Sequence, residues 1–120
     1  MSVIDTNILI DYLKGDPRAA EAVAADEHPV MSVISLAELL VGARSPEAEL
    51  AVRGLTKKLK PIPIDDEVAT VAAMIRRGDG LKLPDALILA TAKTLGTKLI
   101  TRDTKDFGPN SALVHVPYKI

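Results

Sequence analysis

Short apolar runs alternate along this chain with stretches in which apolar residues recur every third or fourth position. Ser2–Ile4 is a run of the first kind and reads as a strand. Ile8, Leu9, Tyr12 and Leu13 follow at helical spacing over residues 7–14, and Gly15 ends them. Asp16-Pro17 is a cap followed by proline at the first helical position, which predicts a second helix over residues 18–25. After His28-Pro29, the apolar positions Val30, Met31, Val33 and Ile34 predict a compact strand over residues 30–34. Ser35 is then expected to cap a helix whose Leu36, Leu39, Leu40 and Ala43 share a face. Glu38, three residues on, has the spacing of a capping box.

Ser45-Pro46 restarts a helix that runs toward Lys60, and residues 61–64 form a short edge-like strand bracketed by prolines. Asp65 or Asp66 caps a helix through Arg77 with Val68, Val71, Ala72 and Ile75 as its stripe. Residues 78–83 read as a loop. Pro84-Asp85 opens a helix through Leu95, stopped by Gly96. Residues 98–101 form a strand, 102–110 a loop or short turn, and 113–116 a final strand. Strands alternating with helices predict an α/β fold around a mainly parallel sheet, in one domain over residues 1–120. The pattern leaves open whether the two long helices after position 45 project as a hairpin rather than covering the sheet.

Composition narrows the function classes. The chain has no cysteine, which excludes disulfides, Cys-zinc sites and a Cys nucleophile and favours a reducing compartment. No apolar stretch is long enough for a membrane span, and the start has no basic segment, so the expectation is a cytoplasmic protein without membrane association. Three Lys/Arg and nine Asp/Glu fall in residues 1–50, against twelve and seven in residues 51–120. That asymmetry suits either a basic surface beside an acidic one or two plainly solvated faces. Tyr12, Phe107 and Tyr118 are the only aromatics, too few for a base-stacking RNA module.

The placement of four carboxylates carries the chemistry. Asp5 follows the first strand, and Asp103 follows the strand at 98–101. Glu38 lies in the first turn of the expected helix after the second strand, and Asp85 in a first turn behind a proline. A parallel sheet gathers strand C-termini and the next helix N-termini on one edge, where ligands bind. Each acid taken alone also reads as a cap. Four acids converging with pairs about 5 Å apart would repel by roughly 3 kcal/mol per pair at an effective dielectric near 20. They then need a cation among them, or protons. Carboxylates without His or Cys are hard donors that suit Mg²⁺ or Mn²⁺, the apparatus of phosphoryl chemistry.

Other chemistries lack their residues. There is no Gly-x4-Gly-Lys-Ser/Thr, no Gly-x-Gly-x-x-Gly after the first strand and no Gly-x-Ser-x-Gly. His28 and His115, the only histidines, are expected away from the acidic edge, which disfavours a metal-free ribonuclease. A small phosphatase with Asp5 as nucleophile would want an acid two residues on, where this chain has Asn7.

The segments VIDTNILIDYL, SVISLAELLVGA, LPDALILATAKTLG and KLITRDTKDF, in this order and over this length, resemble the PIN-domain ribonucleases, and more narrowly the VapC-type toxins of toxin–antitoxin pairs. The resemblance implies a three-layer α/β/α sandwich around a mainly parallel sheet of about four or five strands. It implies acids that bind Mg²⁺ or Mn²⁺, and endonucleolytic cleavage of RNA by a metal-activated water. Asp5, Glu38 and Asp85 would be the first three acids. The fourth comes from TRDTKDF: Asp103, which directly follows the strand, with Asp106 as an alternate. Asp5, Asp85 and Asp103 would hold the ion, and Glu38 would complete the cage or orient the water. Thr6 and Asn7 look like polar supports for Asp5, or simply caps, and Thr101 like a hydroxyl near the cluster. Lys82, Arg102 and Lys105 lie close in sequence to the acids, as RNA-phosphate contacts or as plainly solvated charges. The family further implies a homodimer and a protein antitoxin whose tail wraps the toxin. The competing expectation is an inactive PIN-like module that binds RNA or protein.

Overall fold

The computed structural model describes residues 1–103 and 107–119. Its elements in chain order are β1 (Ser2–Ile4), α1 (Thr6–Leu13), α2 (Pro17–Ala24), β2 (Pro29–Ser32), α3 (Val33–Gly42) and α4 (Pro46–Lys58). Then come β3 (Lys60–Ile62), α5 (Asp66–Asp79), α6 (Leu83–Thr94), β4 (Lys98–Ile100), a 3-10 turn (Gly108–Leu113) and β5 (Val114–His115). The five strands form one sheet in the order β3-β2-β1-β4-β5, and every pairing is parallel. Among the described residues no helix is long and apolar enough to cross a membrane.

The strands are apolar on consecutive residues because both faces of the sheet are covered. Side chains alternate along a strand, so Val3, Val30 and Leu99 enter one core, with α5 and α6. Ile4, Met31 and Ile100 enter the other, with α1, α2, α3 and α4. This is a three-layer α/β/α sandwich. It resolves the placement of the two long helices. α4 buries Val52 and Leu55 on one face, while α5 buries Val68, Ala72 and Ile75 on the other. They are not a hairpin: each has its own apolar stripe to cover, and α5 packs on α6.

β3 occupies an edge, as its prolines require: Pro61 has no N–H to give a second neighbour. Gly80, in the left-handed region at φ 71°, ends α5 two residues later than the sequence pattern suggested. The start of α3 also differs. Ser32, not Ser35, caps it, with its hydroxyl accepting from the Ile34 N–H at 3.0 Å. Val33 and Ile34 therefore open the helix rather than close the strand. An apolar run of this length suits either element, and the serine that can face the first free N–H groups decides where the chain turns.

Candidate active site

β1 is the middle strand, and the order of strand addition reverses there. β2 and β3 lie to one side of it, β4 and β5 to the other. The crevice outside the strand ends at such a reversal is where open α/β sheets bind ligands. Asp5 leaves β1 at this point, its N–H bonded to the Ile100 carbonyl at 2.8 Å, and Thr101 to Asp103 leave β4 beside it.

Asp5 is a cap and more than a cap. Its Oδ1 accepts from the Thr6 N–H at 2.8 Å at the start of α1. Its Oδ2 accepts from the Thr101 hydroxyl at 2.8 Å and from Asn7 Nδ2 at 3.5 Å. α1 has only eight residues, too short to hold itself together. Ile8 and Leu9, both wholly buried, each contribute about 1.5–3 kcal/mol of burial and pin this end of the helix. The position of Asp5, Thr6 and Asn7 is thus set by packing.

Thr101 is fully buried and uses its whole hydrogen-bonding capacity. Its proton goes to Asp5, and its lone pairs receive Asn7 Nδ2 at 3.0 Å and the Asp103 N–H at 3.1 Å. Asn7 Oδ1 also accepts the Arg102 N–H at 3.3 Å. The backbone that carries Asp103 is therefore fastened to Asp5 through Thr101 and Asn7.

Glu38 stands in the second turn of α3, not the first, because the helix starts three residues earlier than the sequence suggested. It is not the partner of a Ser35 capping box, since Ser35 is inside the helix. Instead Glu38 Oε1 accepts from the Thr6 hydroxyl at 2.7 Å, while Ser35 Oγ lies 2.8 Å from the same hydroxyl. Thr6 thus serves two acids at once, Asp5 through its backbone N–H and Glu38 through its side chain.

Asp85 is half-buried in the first turn of α6. α6 packs on β1, β2 and β4, and it enters β4 through a short turn at Gly96, so its N-terminus lies at the same sheet edge. Its relation to the other acids is one of placement on that edge. Among the described residues, no three His, Asp or Glu side chains are close enough together to hold a metal ion. The tight four-acid convergence expected from the sequence is not present among them. The donor chemistry still fits Mg²⁺, which keeps most of its waters and needs only one or two carboxylates. Every acid here offers oxygen. His28 is exposed in a turn. His115 also has an exposed side chain, though its carbonyl accepts the Thr101 N–H at 3.0 Å, bringing its backbone nearer this edge than the sequence suggested.

Among the basic candidates, Lys82 is exposed immediately before α6. Arg102 is not plainly solvated: its side chain is 23% exposed, and its Nε lies 2.9 Å from Asp11 Oδ2. The Nε–H is not aimed at that oxygen, so this is an ion pair without a hydrogen bond. Asp11 Oδ2 accepts a true hydrogen bond from Tyr118 at 2.9 Å. Burial first, and then Asp11, push the Tyr118 hydroxyl up to about 12. Asp11 was not singled out in the sequence, yet it lies one helical turn after Asn7 and so faces the same edge. Lys105 and Asp106 lie outside the described residues.

A parallel α/β/α sandwich with acids and hydroxyls bonded together at its switch point defines a class, and comparison with known proteins gives its name. The PIN domain model matches residues 2–108, and the chain belongs to the PIN domain family. It is 30% identical over 117 residues to Ribonuclease VapC19 of Mycobacterium tuberculosis, covering 89% of this chain and 92% of that one. A toxin-antitoxin complex from Klebsiella pneumoniae contains a chain of the same fold, with TM-score 0.89, 38% identity and complete coverage of both chains. DNA-bound VapBC from Salmonella typhimurium follows, with TM-score 0.80 and 26% identity over 95% of this chain and 96% of that one.

Proposed function

We propose that this protein is a metal-dependent endoribonuclease and the toxin of a toxin–antitoxin pair. The observation that carries the reading is the pair of bridges at the switch point, Asp5–Thr101–Asp103 and Asp5–Thr6–Glu38. The first ties the Asp5 carboxylate to the backbone that carries Asp103, and the second ties it through Thr6 to the Glu38 carboxylate. Similarity to a protein named a ribonuclease and to a chain from a toxin-antitoxin complex supports the same reading.

In this reading Asp5, Asp85 and Asp103 hold Mg²⁺ or Mn²⁺, directly or through water, with Asp106 as the alternate to Asp103. When bound, the ion would acidify a water and neutralise charge on the attacked phosphate. Thr101 and Thr6 fix the Asp5 carboxylate so that no reorganisation is needed at the moment of reaction. Glu38, exposed at the rim, takes a proton from the attacking water or completes the cage. Lys82, Arg102 and Lys105 supply positive charge beside the RNA backbone. The products would be a 5′-phosphate and a 3′-hydroxyl.

The antitoxin has an apolar place to sit. Ile10 and Leu13 of α1, Leu39 of α3, Ala43 just after it, and Ala51 and Val52 of α4 line an open groove of about 300 Å³ that reaches Glu38. A partner helix laid there would bury Ile10 and Leu13, which are 40% and 36% exposed. A basic residue on it would meet Glu38, the acid that lines the groove. Homodimerisation belongs to the same reading and is checked by analytical ultracentrifugation over a concentration series.

The experiment is cleavage of tRNA, rRNA and mRNA by antitoxin-free protein with Mg²⁺, with Mn²⁺ and with EDTA, beside Asp5→Ala. Cleavage that needs the ion and is lost in the variant is the expected result. A lack of cleavage on all three RNAs, with RNA or protein binding retained, would make the protein a binding module.

A further inference from the structure

We infer that Ser35 is a positioning residue for Glu38, acting through the hydroxyl of Thr6. The inference rests on the reading in which Glu38 completes the metal cage, and adds a residue to it. The argument is a count of protons. Thr6 Oγ1 has two oxygen neighbours, Glu38 Oε1 at 2.7 Å and Ser35 Oγ at 2.8 Å, and only one proton to give. An ionised carboxylate only accepts. The Thr6 proton therefore points to Glu38, and the Ser35 proton must point to Thr6. The opposite sense would set a Thr6 lone pair against the carboxylate at the same short distance.

The surroundings favour this fixed direction. Ser35 and Thr6 are buried, Ser35 completely. A serine inside a helix ordinarily bonds back to its own helix or to water. Here it faces across to α1. Ser35 and Glu38 are one turn apart on α3 and so present one face, with the Thr6 hydroxyl between them. The chain Ser35 to Thr6 to Glu38 is one-directional, and each bond polarises the next. Glu38 is exposed, so without this tether its side chain would share its time among solvated rotamers. The tether also fixes the spacing of Glu38 from Asp5, because the Thr6 N–H holds Asp5 at 2.8 Å.

The test is a double-mutant cycle read by Mn²⁺ binding in electron paramagnetic resonance. Ser35→Ala is expected to weaken Mn²⁺ binding by about tenfold, the lower end for groups that orient metal ligands. In a Thr6→Val background, where the chain is already cut, Ser35→Ala should add nothing. Equal weakening in both backgrounds would mean that Ser35 acts only through packing, and no weakening in either would mean that it does not act at all. Both results overturn the inference. A second readout uses metal-free protein: the Thr6 hydroxyl proton, held to Glu38, should be a slowly exchanging NMR resonance that exchanges faster in Ser35→Ala. Unchanged exchange in the variant also overturns the inference. Lack of saturable Mn²⁺ binding by the unmodified protein removes the metal reading itself, and the NMR measurement still decides whether Ser35 orders Thr6.

Discussion

Thr101 donates to Asp5 Oδ2 at 2.8 Å across 96 residues of sequence, and it closes the seam between β1 and β4. The bond uses the single proton of a fully buried hydroxyl whose lone pairs hold Asn7 and the Asp103 N–H. Thr101→Val keeps the shape and removes all three bonds. Partly buried donors that lose an acceptor cost about 1–3 kcal/mol. RNA cleavage should fall roughly 10–100-fold, as for other groups that orient metal ligands. Thr101→Ser should restore most of both. Urea unfolding and initial cleavage rates check the two effects separately.

Asp5 as a mere cap and Asp5 as a site acid predict different things for asparagine. Asn caps a helix about as well as Asp, whereas Ala loses about 1 kcal/mol. Asp5→Asn should therefore keep the cap at Oδ1, lose about 1–3 kcal/mol where its NH2 replaces the oxygen that accepts from Thr101, and lose cleavage by about a hundredfold or more, because a neutral amide neither holds a cation nor offsets its charge. Asp5→Ala should lose the cap as well. An Asn variant that cleaves RNA normally would return Asp5 to the role of cap. Thermal melts beside cleavage assays make the comparison.

Much of this was legible in the chain because each apolar pattern had one good solution. The alternation of strands and helices gave the sandwich, and Gly96 and Asp16-Pro17 marked helix ends where the structure has them. Asp5 has a positional signal, directly after the first parallel strand, whereas Thr101 has one only in the resemblance to the family, because the sequence pattern runs the strand through it and the structure ends β4 at Ile100. Three things were not legible. Val33 and Ile34 suit a strand end or a helix start, so the choice between Ser32 and Ser35 fell to tertiary packing and moved Glu38 by one turn. The side chain of Thr6 was assigned to Asp5, but it bonds to Glu38, because the approach of α1 to α3 has no local signal. The pairing of Arg102 with Asp11 depends on where Tyr118, near the far end of the chain, comes back.

The serines of α3 offer a direct check of that register. Ser32 caps the helix, and its replacement by alanine should cost about 1 kcal/mol, or roughly 4 °C in melting temperature for a domain of this size. Below the melting range the cleavage rate should be unchanged, because among the described residues the Ser32 hydroxyl bonds to the helix backbone at Ile34 and to no site acid. Ser35→Ala loses its own buried bond to Thr6, so stability alone does not separate the two serines. Hydrogen exchange at the Ile34 N–H, faster in Ser32→Ala and unchanged in Ser35→Ala, distinguishes the registers.

Tyr118 gives the pH dependence. Its hydroxyl donates to Asp11 Oδ2 and titrates at about 12, above the ordinary value of 10.0. A raised value means that the folded state favours the protonated form. The stability from this bond is thus complete below pH 10 and is lost as pH rises through about 12. Tyrosinate absorbance, taken as the difference between the unmodified protein and Tyr118→Phe, should show this late ionisation. Asp11→Asn removes the charge that opposes the tyrosinate, so ionisation should move back toward 10. Asp11 is also the counter-ion of Arg102, which lies between Thr101 and Asp103. The same variant should free the Arg102 side chain and raise the KM for RNA by more than it lowers kcat, because a mobile cation binds a phosphate less well than a placed one. If Asp11→Asn moves neither the Tyr118 titration nor the KM, the contact with Asp11 has no bearing on Arg102.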